Sequence, residues 1–144
     1  MKILLIAILT LTTTFTFAQQ SVTWKGGTPG KETNWNEARN WSNNRVPNEF
    51  SDVNIPDVST STFSDPVIKE GIIELNSIRI ASNGLLTVEA SAKVIVYGYV
   101  EGIIKENLNL KGTLFIMEEF ASADFENIEI LDKGYSAFRF IQGN

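Results

Sequence analysis

The feature that most restricts this fold is a recurring pair of apolar residues two positions apart. Val53/Ile55, Ile73/Leu75, Ile78/Ile80, Leu86/Val88, Val94/Val96, Leu108/Leu110, Leu114/Ile116, Ile128/Ile130 and Phe138/Phe140 all have this form. Successive side chains of a strand point to opposite faces, so each pair gives one short strand two side chains for a common core. Between the pairs lie turn residues: Asn83-Gly84, Gly98, Gly102, Gly112 and Asp132-Lys133-Gly134,. Many short strands at fairly even spacing indicate an all-β sandwich, barrel or solenoid. These pairs lack the longer alternating runs of sandwich strands. A solenoid coil needs only such pairs, because each coil stacks on the next and buries a continuous apolar column. A short β-solenoid is expected, with an antiparallel β-sandwich as the alternative.

Residues 1–18 differ from everything after them. Lys2 precedes an apolar run over 3–11 and a threonine-rich stretch ending Thr16-Phe17-Ala18. A basic start, a short apolar core and small residues at the cleavage positions describe a secretory signal peptide, with cleavage expected before Gln19. An apolar run of this length falls well short of the roughly 20 residues that span a bilayer as a helix. The expected address is secreted or cell-surface, with the periplasm also open. The chain has no cysteine, which excludes both a lipidated N-terminus and a disulfide framework and suits bacterial export. Loss of residues 1–18 removes Lys2 and no acid, leaving 11 basic and 17 acidic residues, net −6. Those charges are scattered. Without a basic patch, nucleic acid and anionic membrane surfaces are poor partners.

The mature chain reads as one domain in two textures. Residues 19–58 form a tryptophan-rich N-terminal cap with the first strand, and residues 59–144 form the coils and a C-terminal cap, with 59–65 a polar link. Trp24, Trp35 and Trp41 all lie in the first part, near the turn-rich run Gly26-Gly27-Thr28-Pro29-Gly30. The spacing Trp35, Ala38, Trp41 predicts a helix of one or two turns over 34–41, with Asn34 capping it. Tyr135, Phe138 and Phe140 are the candidate closing residues at the other end.

One stretch reads Trp24-Lys25-Gly26-Gly27, then Asn34-Trp35-Asn36-Glu37-Ala38-Arg39-Asn40-Trp41-Ser42, Arg45-Val46-Pro47 and Asp52-Val53-Asn54-Ile55-Pro56. It is followed by Leu75-Asn76-Ser77-Ile78-Arg79-Ile80 and Gly84-Leu85-Leu86-Thr87-Val88. Over about residues 24–100 this resembles a pattern of secreted and surface proteins of Gram-negative bacteria. The resemblance implies a capped, right-handed parallel β-helix, commonly a module of adhesin-like proteins. A more distant likeness is to the G8 domain, for which polysaccharide binding has been proposed.

Candidate sites follow from aromatic placement. Trp24, Trp35 and Trp41 suit either a sugar-stacking platform or, as their size favours, a buried lid over the solenoid end. If Val94 and Val96 point inward, Ile95 and Tyr97 point outward, as does Tyr99 if the strand continues past Gly98. Phe115 and Met117 similarly face away from Leu114 and Ile116. Stacked coils would merge these into an exposed strip able to bind sugar or protein. The competing readings are a strip covered by another segment, or a register wrong by one.

Catalytic chemistry has little to draw on. There is no histidine, so His-dependent nucleophilic catalysis is excluded. Without His or Cys, zinc and copper lose their usual ligands. Asp52 and Asp57 are the calcium candidates, but they sit in no spaced acidic loop. Glu118, Glu119, Asp124 and Glu126 form an acidic cluster, although adjacent strand residues face opposite ways and make a poor acid/base pair. No cofactor is implied. The expected function is a non-enzymatic surface, matrix or interaction role, with a polysaccharide or another envelope or surface protein as the expected partner. A polysaccharide-binding module is the alternative, and a polysaccharide lyase or hydrolase a remote one.

Overall fold

The computed structural model describes residues 19–103, 106–117 and 136–138. The expected signal peptide, the Ile128/Ile130 pair, Tyr135, Phe140 and the acidic cluster at 118–126 lie outside them. The strands are β1 (Gln20–Thr23), β2 (Ser51–Ile55), β3 (Val67–Leu75), β4 (Ser77–Ile80), β5 (Leu86–Val96), β6 (Val100–Glu101), β7 (Leu108–Leu110), β8 (Thr113–Ile116) and β9 (Ser136–Phe138). One sheet has the order β1-β2-β4-β6. The other has the order β3-β5-β8-β9, with β7 also on β5. All pairings are parallel except β8 with β9. The protein is therefore all-β with parallel sheets, and the antiparallel sandwich is ruled out as its description.

From β2 to β7 the chain alternates between the two sheets, and β8 and β9 then stay in the second with β7. Parallel register then lines up like with like. Val22, Val53, Ile78 and Val100 are successive partners and all are buried. The same holds for Ile68, Val88 and Leu110, and for Leu75, Val96 and Ile116. Among the described residues, the pairs Val53/Ile55, Ile78/Ile80, Leu86/Val88, Val94/Val96, Leu108/Leu110 and Leu114/Ile116 bury both side chains, and a fully buried Val, Leu or Ile contributes about 1.5–3 kcal/mol. Two expected pairs turn out to share one strand, because β5 runs from Leu86 through Val96 without a break. The turn between rungs is held tight at Gly112. A Cβ there would lie 2.3 Å from the Ala92 carbonyl oxygen, so no larger residue fits without backbone movement.

The segment 24–50 closes one end. Trp24, Trp35 and Trp41 are at most 1 % exposed and pack edge to face, with centroids 4.9 Å apart for Trp24–Trp41 and 4.6 Å for Trp35–Trp41. The Trp24 Nε1–H donates to the Ser64 carbonyl (2.8 Å) and the Trp41 Nε1–H to the Trp35 carbonyl (2.8 Å). The predicted helix over 34–41 is reduced to one 3-10 turn, Ala38–Asn40. Its first half is lost because residues 33–35 form a rung on β3 instead. The Val67 N–H donates to the Thr33 carbonyl (2.8 Å) and the Trp35 N–H to the Val67 carbonyl (3.4 Å). Asn34 accordingly does not cap the helix. Its Oδ1 accepts the Asn36 N–H (3.0 Å), while Glu37 takes the capping position and accepts from the Arg39 N–H.

The hub of this segment is Asn40, fully buried. Its Oδ1 accepts the Thr28 N–H (3.0 Å), and its Nδ2 donates to the carbonyls of Lys31 (2.7 Å) and Asn34 (3.0 Å). Its own carbonyl accepts from Lys25 and Gly26. One amide thus pairs main-chain groups that would otherwise be buried without partners. Nearby, Glu37 bonds Arg39 (3.0 Å) and Lys31 (3.0 Å). The Arg39 bond first, then that of Lys31, lowers its pKa to about 2. The stabilisation this confers is complete above the ordinary carboxylate range and is lost as pH falls toward 2. Replacing Asn40 with alanine is expected to destabilise the protein by about 1–3 kcal/mol through the orphaned Thr28 N–H alone. The exposed control Asn36→Ala should stay within about 0.5 kcal/mol. Urea unfolding of both variants measures the difference.

Candidate functional site

The turn from β5 into β6 holds Tyr97, Gly98 and Tyr99, and each is tied to the rung before it. The Tyr97 N–H donates to the Leu75 carbonyl (3.0 Å), and the Gly98 N–H to the Asn76 carbonyl (2.6 Å). The Tyr99 carbonyl accepts the Ile78 N–H (3.2 Å). Backbone fixed on both sides leaves the two rings directed outward, with Tyr97 42 % and Tyr99 53 % exposed while Val94 and Val96 are fully buried. The alternation read from the sequence therefore has the correct register.

The rings have different neighbours. The Tyr97 hydroxyl donates to Glu74 Oε1. That bond, then partial burial and the charges of Glu74 and Glu49, raises the Tyr97 pKa above the ordinary tyrosine range. Tyr99 lies by Arg79, whose guanidinium binds Glu101 through Nε (2.9 Å) and Nη2 (2.6 Å). The Glu101 hydrogen bond first, then its charge and that of Tyr99, raises the Arg79 pKa. An ion pair joined by several hydrogen bonds thus stands beside one exposed ring and a carboxylate beside the other. The surface offers aromatic faces together with hydrogen-bonding groups of both kinds, a combination that can hold a polar ring or a polypeptide.

Parallel register also places Ile95 next to Phe115, both half-buried, and sets Met117 after Ile116, exposed. The Met117 N–H donates to the Val96 carbonyl (2.9 Å), so Met117 follows Tyr97 into the same turn column. The strip anticipated from Ile95, Tyr97, Phe115 and Met117 is thus assembled on one side, with Tyr99 around the corner at the start of the other sheet. Charge interrupts it. The Lys93 Nζ lies 5.1 Å from the Phe115 ring centroid, a cation–π distance,. Phe50 and Ile72 add further exposed apolar surface nearby. The sequence reading passed over both. Phe50 precedes β2, and Ile72 follows Lys69-Glu70-Gly71, which looks like a turn.

The tryptophans offer no stacking platform. Trp24, Trp35 and Trp41 lie inside the cap with their faces against one another. Asp52 and Asp57 are committed to internal bonds. Asp52 Oδ1 accepts from Asn76 Nδ2 (2.7 Å) and Ser77 Oγ (2.5 Å). Asp57 accepts from Ser59 and from Asn83 Nδ2 (3.1 Å), and the Ser59 bonds lower its pKa. Among the described residues no group of three acidic side chains converges as a metal site. Among them, too, no helix is long and apolar enough to cross a membrane. Comparison with protein-family models, curated proteins and solved structures yields no match.

The Tyr97–Glu74 bond has a spectroscopic consequence. A raised phenol pKa means that the bond stabilises the fold fully below about pH 10 and is lost as pH climbs through the raised value. Ultraviolet titration should show one tyrosine ionising above the usual range, and Glu74→Gln should bring it down. An unchanged titration in Glu74→Gln would mean the bond does not exist in solution.

Proposed function

We propose that this chain is a secreted, non-enzymatic β-solenoid whose role is binding at a cell surface or in an extracellular matrix. The observation that carries the reading is the stacking of like residues. Val22–Val53–Ile78–Val100 and Leu75–Val96–Ile116 are in-register buried columns built by a chain that returns repeatedly to the same sheets. Coils wound around one core produce this arrangement, and right-handed winding follows from the strong preference of parallel crossovers. Such a stack makes a rigid scaffold that presents turn residues in fixed array. Its carboxylates support the non-enzymatic part of the reading. Asp52, Glu89 and Glu101 reach side chains on a neighbouring rung, roles that suit holding coils together. The absence of histidine and cysteine points the same way.

A second reading, polysaccharide binding, is favoured by one specific feature. Tyr97 and Tyr99 are held on a clamped turn with their rings exposed and polar groups beside each. Exposed aromatic rings flanked by hydrogen-bonding side chains suit the alternating apolar and hydroxyl surfaces of a sugar. Secretion to the surface or periplasm would bring the site to envelope and extracellular glycans. The deciding experiment exposes the purified protein and its Tyr97→Ala/Tyr99→Ala variant to a glycan array and to insoluble cell-wall polysaccharides. Retention of the wild type at least tenfold above the variant establishes the carbohydrate reading. Failure of both to bind leaves the protein-interaction role, which a pull-down from cell envelope then tests.

A further inference from the structure

The cap leaves one rung missing. Residues 33–35 pair with β3 at Val67, and the Asn76 N–H beyond β3 donates to the Ser51 carbonyl (3.0 Å). Between these two points, among the described residues, nothing pairs with the edge of β3 that faces away from β5. The Leu75 carbonyl accepts from Tyr97. Since one residue in two serves each neighbour of a parallel strand, Leu75 and Ile73 direct their main-chain groups to β5, and Ile72 and Glu74, beyond the bulge, direct theirs into the gap,. The gap is accessible. Lys69, Glu70, Gly71, Ile72 and Glu74 are exposed, Ile72 at 63 %, and a Cβ added at Gly71 would meet nothing within 4 Å. At about 3.3 Å per residue, 69–75 present roughly 20 Å of open edge.

We propose that this edge is a β-augmentation site, taking an extended peptide with basic residues at alternate positions around an apolar centre. Main-chain bonds to Ile72 and Glu74 would supply the missing rung, as strand addition does generally. Charge selects the occupant. Glu70 and Glu74 flank Ile72 on the exposed face, and Glu49 adds to the negative potential felt at Tyr97 beside Glu74. Lys69 is the one basic residue of the segment. A second copy is disfavoured, because the antiparallel register that pairs the whole segment with itself sets Glu70 opposite Glu74 twice, and like charges opposed across strands are destabilising. The bulge between Ile68 and Glu70 and the positive φ of Gly71 (87°) twist the segment, which further resists flat edge-to-edge stacking. The edge shares Glu74 with the Tyr97 hydroxyl but needs neither aromatic ring, so Tyr97→Ala/Tyr99→Ala, which ends the carbohydrate reading, should leave peptide binding in place.

The probe is a fluorescein-labelled nine-residue peptide of alternating lysine and valine, titrated into the purified protein by anisotropy at low salt. Two controls accompany it: the glutamate–valine counterpart, and a lysine–valine peptide of equal charge interrupted by prolines. The lysine–valine peptide should bind at least tenfold more tightly than either. Hydrogen exchange should slow at the amides of Ile72 and Glu74 in its presence. Glu70→Lys/Glu74→Lys should transfer the preference to the acidic peptide. Ile72→Pro, which removes an outward N–H and leaves the bonds to β5 in place, should abolish binding while circular dichroism stays unchanged. Equal binding of the proline-interrupted peptide would overturn the proposal in favour of charge attraction alone. So would protection of Ile72 and Glu74 that rises with protein concentration and needs no peptide, because a second copy would then fill the edge.

Discussion

Every rung of a parallel sheet directs half of its main-chain groups at the next rung, so those groups need a successor, a substitute partner or water. That requirement organises this protein. Within the sheets the successor is another strand. At the N-terminal end the cap performs the task piecemeal: the Thr23 N–H donates to Ser42 Oγ (3.0 Å), the Ser42 N–H to the Thr23 carbonyl (2.9 Å), and residues 33–35 meet β3 at Val67. The cap has too little regular structure to satisfy its own main chain, so Asn40 supplies what a helix or strand would have. The three indoles then cover the ends of the apolar columns. Polar satisfaction and apolar coverage are thus divided between Asn40 and the tryptophans, which neighbour one another in the sequence because both must act at the same place.

The columns were legible because period two is a strong signal when each pair is bounded by turn residues. Ile78/Ile80 and Val94/Val96 follow that period, and the burial of Val94 and Val96 is what decides between the two registers and turns Tyr97 outward. What could not be read was decided by contacts distant in sequence. Asn34 looks like a helix cap, and a helix beginning there would satisfy local propensity. The open upper edge of β3 at Val67 competes for the same main chain and wins, leaving one 3-10 turn. Nothing within residues 34–41 announces that competitor. Ile68 has no apolar partner two positions on, because a bulge between Ile68 and Glu70 breaks the period within a continuing strand.

Asn40 illustrates a different limit. It lies within the tryptophan motif, and its role is invisible in the sequence because amide hydrogen bonds leave no periodicity. The signal that could have found it is contextual. A single Asn between buried tryptophans, in a segment too short for regular structure, is where unsatisfied main-chain groups must accumulate. The same reasoning separates the aromatic residues. Trp41 and Tyr97 each follow an expected strand or turn signal, yet one closes the core and the other faces out. The difference lies in what the neighbouring rung provides: Trp41 has Trp35 and Trp24 to pack on, whereas Tyr97 has the carboxylate of Glu74.

The exposed features gather where the succession of rungs is interrupted or changes direction. Tyr97 and Tyr99 occupy a turn where the chain leaves one sheet for the other, so their side chains are released from column packing while their backbone stays clamped. Ile72 lies where, among the described residues, the rung above is absent, and it stays exposed. In both places the scaffold remains ordered and the surface is left unsatisfied, by apolar exposure at the tyrosines and by main-chain groups at β3. A stack of this kind tolerates such openings because each rung is already secured on its other side. The same geometry that makes the core repetitive therefore localises exposed apolar and main-chain groups at its turns and edges, and it does so without disturbing the columns beneath.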